Sequence, residues 1–184
     1  MHRLLPSWFL QPRWRRIYEM PVTKEPPRQA EVGAFRWASP ADTHLLESYH
    51  GEQLTAARLS YGHRAAILVK DDRLIGVAWF ATRSYYDIDT ATRVTLSFDE
   101  AWIYGVWIHR KYRRQGLYAD LLRHAGVELR RRGIRQLLFA IDAFNVRSRR
   151  LHRRLLAKPI GHLYGVRLAF FNAYRFHREL MPKG

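Results

Sequence analysis

Residues 113–116, Arg-Arg-Gln-Gly, lie between an apolar segment and an amphipathic one, and the chemistry open to them is the grip of an anion. The segment before them, AWIYGVWI over 101–108, is rich in aromatic and β-branched residues and has only Gly105 as a breaker, so it predicts a strand. After Gly116 the period changes. Tyr118, Leu122, Ala125 and Leu129 recur at offsets of four, seven and eleven, which predicts a helix. A loop that opens directly into a helix leaves backbone N–H groups without intrahelical partners, aimed at the strand end with the positive pole of the helix behind them. Phosphates bind at such places. Gly116 lets a phosphate approach the backbone with no Cβ in the way, while Arg113 and Arg114 add full charges. Arg-x-x-Gly alone means little, since it recurs at Arg73/Gly76, Arg123/Gly126 and Arg130/Gly133, but only the 113–116 copy separates a strand from a helix.

The charge balance points the same way. The net charge is +16, with 27 of the 32 basic residues Arg, and +15 of it falls after residue 100, in the half that holds the loop. That distribution asks for a polyanionic partner: a nucleotide cofactor, a nucleic acid or an anionic membrane face. A basic face that does no more than stay solvated is the competing explanation. There is no cysteine, which excludes disulfides, thiolate metal sites and a Cys nucleophile and makes the cytoplasm the simplest compartment. The sequence has no apolar run long enough to span a bilayer, and no His or carboxylate set has metal-ligand spacing, so no metal is expected.

The elements that position the loop can be read in order. Residues 1–30 read as an N-terminal extension packing on the domain, with WRRIYEM a candidate strand before Pro21, Pro26 and Pro27. A domain of residues 31–178 follows, then a tail over 179–184. Ser39-Pro40-Ala41-Asp42 starts a helix ended by Gly51, and a second helix covers Glu52 to Tyr61. AAILV and LIGVAWFAT flank a turn at Lys70-Asp71-Asp72-Arg73. RSYYDIDTAT reads as a polar loop before the strand VTLSF. Gly133 caps the central helix, IRQLLFAI is a buried strand, Asn145 opens another helix that stops before Pro159, and the remainder reads as two strands or one long bent one.

The span VWIHRKYRRQGLYADLL, followed by IRQLLFAI and NVRSRRLHRRLL, resembles the GNAT superfamily of acyl-CoA-dependent N-acyltransferases over roughly Val32 to Phe176. The family's loop pattern, Arg/Gln-x-x-Gly-x-Gly/Ala, falls on Arg113, Arg114, Gln115, Gly116, Leu117 and Tyr118, whose amides would hold the coenzyme A pyrophosphate. The family's later helix begins with Asn, has a small polar residue three on and a Tyr seven on; Asn145, Ser148 and His152 stand at those places, on one helical face. The resemblance implies an α/β (α+β) fold: a mixed, mostly antiparallel sheet of six to seven strands, helices on both faces and a splayed central strand pair. It also implies an acetyl-CoA-dependent N-acetyltransferase, with Val106 and Ile108 offering backbone amides to pantetheine and the thioester carbonyl.

Acyl transfer from a thioester to an amine needs positioning, a neutral amine, a stabilised oxyanion and a proton for the departing thiolate. Positioning alone supplies about 7–11 kcal/mol. On this reading His152 is the general acid, since an imidazolium near pKa 6.5 can protonate a thiolate whose conjugate acid lies near about 8.5. Glu100, Asp99, Tyr104 or His109 could take the proton of the attacking ammonium directly or through water; strand alternation puts Glu100, Trp102, Tyr104, Val106 and Ile108 on one face, and Glu100 is the candidate general base. Few acidic residues lie near the expected site, so a neutral or anionic small-molecule amine is the expected acceptor and a polycation is not. The competing reading is a nucleic-acid-binding module that uses Arg147, Arg149, Arg150, Arg153 and Arg154, or a coenzyme-A-binding protein without turnover. A monomer or homodimer is expected.

Overall fold

The computed structural model describes residues 10–23, 32–87, 92–168 and 171–178. The flanking parts of the 1–30 extension, part of the loop after Tyr86 and the 179–184 tail lie outside them. The fold is mixed α/β with mostly antiparallel strands, and it divides into two compact units.

One unit is built from residues 21–83 and 96–137. It holds β2 (Ala34–Trp37), α1 (Thr43–His50), α2 (Glu52–Ser60), β3 (Arg64–Lys70), β4 (Arg73–Ala81), β7 (Glu100–Ile108) and α3 (Leu117–Arg131). Its strands run in the order β7-β4-β3-β2, all antiparallel. The β3–β4 turn has Asp71 and Asp72 at φ +49° and +54°, the paired left-handed conformation whose twist matches a hairpin. The capping box at Ser39 forms as the sequence predicts, on a 3-10 turn, Pro40–Asp42, that runs into α1. The Asp42 carboxylate accepts from the Ser39 amide and hydroxyl at 3.0 and 2.8 Å, and from Arg36 at 2.6 Å. Arg36 first, and the Ser39 bonds with it, hold Asp42 down at a pKa of about 2 despite its burial. Leu45, Leu46, Ala65, Ile67, Val69, Leu74, Val77 and Trp79 form a core under α1, with Tyr104 and Trp107 packed against it.

The other unit comprises residues 1–20, 84–95 and 138–184. Within the segment read as an extension, Leu10–Pro21 forms a 12-residue strand, β1, which takes in WRRIYEM. It pairs antiparallel with β9 (Lys158–Leu168), which pairs in turn with β10 (Phe171–Arg178), so the last stretch is two strands. On its other side β1 neighbours β8 (Gln136–Asp142). Part of the segment read as a polar loop is a strand instead, β5 (Ser84–Asp87), in which Tyr85 and Tyr86 suit an extended backbone; it pairs with β6 (Thr92–Thr95), which starts before the expected strand VTLSF and keeps only its Val94 and Thr95. Arg15 pairs with Asp87 at 2.7 Å. α4 (Val146–Arg154) ends earlier than expected, with Leu156 at φ +63° before β9 begins.

Candidate active site

β7 decides the geometry of the expected loop. Its pairing with β4 runs Ala81↔Trp102, Phe80↔Ile103 and Trp79↔Tyr104, then jumps to Val77↔Trp107 and Gly76↔Ile108. Two residues, Gly105 and Val106, therefore oppose Ala78. Gly105 has φ +56°, so this is a bulge whose first residue is a left-handed glycine. The bulge shifts the alternation by one. Glu100, Trp102 and Tyr104 keep one face, but Trp107 now joins them, and the expectation that Val106 and Ile108 share that face is corrected. The Ile108 side chain lies instead against Gly76, where a Cβ would come within 2.8 Å of it.

Beyond β7 a single 3-10 turn, Arg110–Tyr112, leads into the loop. Arg113 Nε donates to the Ile108 carbonyl at 2.9 Å, Arg114 adopts φ +69° and Gly116 φ +79°, and α3 begins at Leu117. Among the described residues the backbone amides of Arg114, Gln115, Gly116 and Leu117 have no protein acceptor, and the first bond of the helix is from Asp120 N to Gly116 O at 3.2 Å. Left-handed residues alternating along a run of free amides make a concave anion site. A Cβ at Gly116 would meet only Asp120 Oδ2 at 4.0 Å, so that face of the loop is open. Arg113, Arg114, Gln115 and Gly116 are exposed, Leu117 is buried as an anchor, and Tyr118 is half-buried, its hydroxyl pKa pushed up by desolvation.

Glu100 is buried at the head of β7. Its Oε2 accepts from the Ser97 amide at 2.9 Å while its own amide donates to the Ser97 carbonyl, so the carboxylate braces a turn. Asn145, Ser148 and His152 belong to the other unit and are brought together there by α4. Asn145 Oδ1 caps the helix by accepting from Ser148 N at 3.0 Å. His152 is 8% exposed, its ring 4.5 Å from that of Phe139, which stacks on Tyr18. Its Nδ1 donates to the Ser148 carbonyl at 2.8 Å, leaving Nε2 as the second functional nitrogen. Burial lowers the His152 pKa; the bond to Ser148 opposes this. Arg147, Arg150, Arg153 and Arg154 are exposed on the same helix.

A second cluster stands beside the bulge, and sequence reasoning passed over most of it. Trp79 Nε1 donates to His50 Nε2 at 3.0 Å, and burial, with Arg58 nearby, pushes His50 down to about 4. The Arg58 guanidinium lies over the Trp79 and Tyr104 rings at 5.0 and 5.1 Å, and a Cβ on Gly105 would meet Trp79 at 3.1 Å and Arg58 at 3.4 Å. His63 Nδ1 and the Tyr104 hydroxyl are 2.5 Å apart, and burial raises the Tyr104 pKa. Tyr49 stacks on Trp107 at 4.2 Å. No spacing signals this group, which comes from the ends of α1 and α2 and from two strands. The one available hint was a His beside each helix-ending glycine, His50 before Gly51 and His63 after Gly62.

A strand with a glycine bulge, followed by a loop of free amides at a helix mouth, is a site built to hold an anion such as a diphosphate. The acetyltransferase (GNAT) family model matches residues 14–157, and the chain belongs to that family, whose acyl donor is acetyl-CoA. No curated protein matches the sequence. Among solved structures it is similar to a GNAT-family protein from Novosphingobium aromaticivorans, at TM-score 0.58 and 17% identity over 90% of this chain and 69% of that one. It is also similar to a GCN5-related N-acetyltransferase from Sphaerobacter thermophilus, at 0.57 and 18% over 96% and 56%. An aminoglycoside N-acetyltransferase in complex with CoA matches at 0.52 and 16% over 66% and 89%. These likenesses show the fold. The chain spans 62%, 52% and 56% of the length of three of the structures it resembles.

Proposed function

We propose that the chain is an acetyl-CoA-dependent N-acetyltransferase that passes the acyl group to the amine of a neutral or anionic small molecule by direct attack in a ternary complex. The observation that carries this reading is the run of unpaired amides from Arg114 to Leu117 around the left-handed Gly116. Those amides, with Arg113 and Arg114, would hold the coenzyme's diphosphate, and Gln115 and the Tyr118 amide extend the cradle. When bound, the coenzyme supplies an activated thioester. Val106 and Ile108 offer their backbone amides to the thioester arm, and the bulge re-aims the backbone at that point. Asn145, which caps α4 by accepting from Ser148 N, and Ser148 would contribute to cofactor binding. His152, with Nδ1–H on the Ser148 carbonyl, would as an imidazolium give the Nε2 proton to the leaving thiolate and return to the neutral ring.

The likeness to an aminoglycoside acetyltransferase does not carry its acceptor here. The cation beside the bulge is Arg58 and the chain is +16, so a polycation is repelled and a neutral or anionic amine is favoured. Titration calorimetry with acetyl-CoA, followed by thiol release on a panel of free amino acids and amino sugars, tests the reading. We expect binding that weakens in Gly116→Val and turnover with at least one such amine. Absence of acetyl-CoA binding, or steeply salt-dependent DNA or RNA binding without thiol release, would replace it with the basic-module reading.

A further inference from the structure

We propose that the unit built from residues 1–20, 84–95 and 138–184 carries a second binding surface, an aromatic platform for single-stranded nucleic acid. The platform lies wholly within that unit and is independent of the acyl-transfer chemistry.

Strand register builds it. β1 pairs Trp14 with Tyr164 and Arg16 with His162, and where the register shifts, at Ile17/Tyr18, the residue passed over is Ile160 on β9. The alternation of β1 is therefore unbroken, and Trp14, Arg16 and Tyr18 share a face with Tyr164 and His162. At Tyr18 that face is covered, because Tyr18 stacks on Phe139 and Phe139 meets His152 of α4. Around Trp14 it is more open: Tyr164 is 46% exposed, and Trp14 and His162 are half-buried.

The rings of Trp14, Tyr164 and His162 have centroids 5.8, 6.0 and 5.8 Å apart, with interplanar angles of 19°, 36° and 21°. Three near-equal separations cannot belong to one column, so the rings spread over an area on which a nucleobase can lie. Trp14 Nε1 donates to His162 Nδ1 at 3.1 Å, which ties two of them together. Phe144 stands edge-on to Trp14, 5.9 Å away with its plane at 87°. It is 78% exposed, yet it is held: its amide donates to Asp142 Oδ1 at 2.9 Å, and the Ala143 amide donates to the Trp14 carbonyl at 2.8 Å. An anchored, exposed aromatic beside half-open rings is a patch left for a partner.

Charge selects the partner. The Arg16 guanidinium lies over the Trp14 ring at 5.6 Å. α4 begins two residues after Phe144 and presents Arg147, Arg150 and Arg154, all exposed, at the i, i+3 and i+7 spacing of one stripe, while its His152 is buried against Phe139. Residues 138–184 hold ten basic residues against two acidic ones. Rings for base faces and arginines for phosphates together match an unpaired strand, whereas a duplex keeps its base faces stacked away. An anionic lipid surface would match the charge, but these rings pave a sheet and do not project from an amphipathic helix.

Fluorescence anisotropy with labelled oligo-dT and oligo-rU of about 12 nucleotides, and with a duplex of the same length, tests the platform on the full chain. We expect both single strands to bind at about 0.1 M salt, at least about tenfold tighter than the duplex, and the tighter of the two names the sugar. Phe144→Ala and Tyr164→Ala should each weaken binding about tenfold and leave acetyl-CoA affinity in calorimetry unchanged. Arg147→Gln combined with Arg150→Gln should lower the slope of log affinity against log salt by about 1.4. Absence of binding below about 100 μM, the weak end of non-specific association, would overturn the proposal. So would equal affinity for duplex and single strands with both aromatic variants unaffected, which would reduce the surface to bare charge. Retention on phosphatidylserine vesicles without binding of either strand would overturn it in favour of a membrane face.

Discussion

Two regions along β7, the loop beyond its last residue and the bulge within it, meet the same demand, that a polar group be held in place, by different means. The loop after β7 is made from consecutive residues, and its donors are backbone amides left over because a helix cannot satisfy its own first turn. The cluster at the Gly105 bulge is assembled from His50, Arg58, His63, Trp79 and Tyr104, which are spread over 55 positions of chain and meet only because α1 and α2 fold over β4 and β7. One site is local and tolerant of its surroundings; the other depends on packing. Substitutions of similar size should therefore act on different observables in the two regions.

The largest effect should come from Gly105→Val. The residue sits at φ +56° with Trp79 3.1 Å from where its Cβ would be, so left-handed strain of about 1–2 kcal/mol adds to overpacking of about 1–3 kcal/mol. Denaturant unfolding should show a loss of about 3–4 kcal/mol. A loss under 1 kcal/mol would mean that the bulge is plastic.

Acid should act next, and again on the packed region. His50 titrates at about 4 in the folded chain against an ordinary 6.5, so as pH falls the unfolded chain takes its proton first. Stability is full above about pH 6.5 and falls by up to about 3 kcal/mol as pH drops to 4, with His152, also lowered by burial, adding in the same direction. His50→Asn should flatten that part of the profile in thermal melts between pH 7 and 4. Asp42, held at about 2, adds a separate loss only below about pH 4, as its carboxylate is protonated away from Arg36.

Gly116→Ala should do the opposite of Gly105→Val. Its Cβ meets open space, and the cost is the φ of +79°, so unfolding should shift by about 1 kcal/mol while acetyl-CoA affinity in calorimetry falls about tenfold as the amides reorient. The smallest change is expected for Arg114→Gln, a few-fold loss of affinity that shrinks further in 0.5 M salt, because an exposed charge is screened. A loss unchanged by salt would put Arg114 in direct, desolvated contact with the phosphate.

Much of the architecture was legible because its causes are local. Ser39-Pro40-Ala41-Asp42 forms the cap its types require, the Lys70–Arg73 turn takes the hairpin conformation, Gly133 ends α3 and Asn145 caps α4. The errors came where a neighbour overrode the local pattern. Period-two alternation along 100–108 assumes an unbroken ladder, and the Gly105 bulge shifts Val106 and Ile108 out of phase. β5 was hidden in a polar stretch, and the strand expected at VTLSF was placed two residues late, because a two-stranded ribbon needs little apolar content when each strand supplies the other's hydrogen bonds.

Sequence by itself determined the anion loop, since strand, Arg-Arg-Gln-Gly and helix are contiguous and the free amides follow from helix geometry. It also placed Asn145, Ser148 and His152 on one face of one helix. Only tertiary structure decided that the Glu100 carboxylate accepts from the Ser97 amide, that His152 is desolvated against Phe139, and that His63 meets Tyr104 beside the bulge. Those outcomes depend on which distant segments pack together, and the energy that selects them is burial summed over a whole core, which no short window of residues contains.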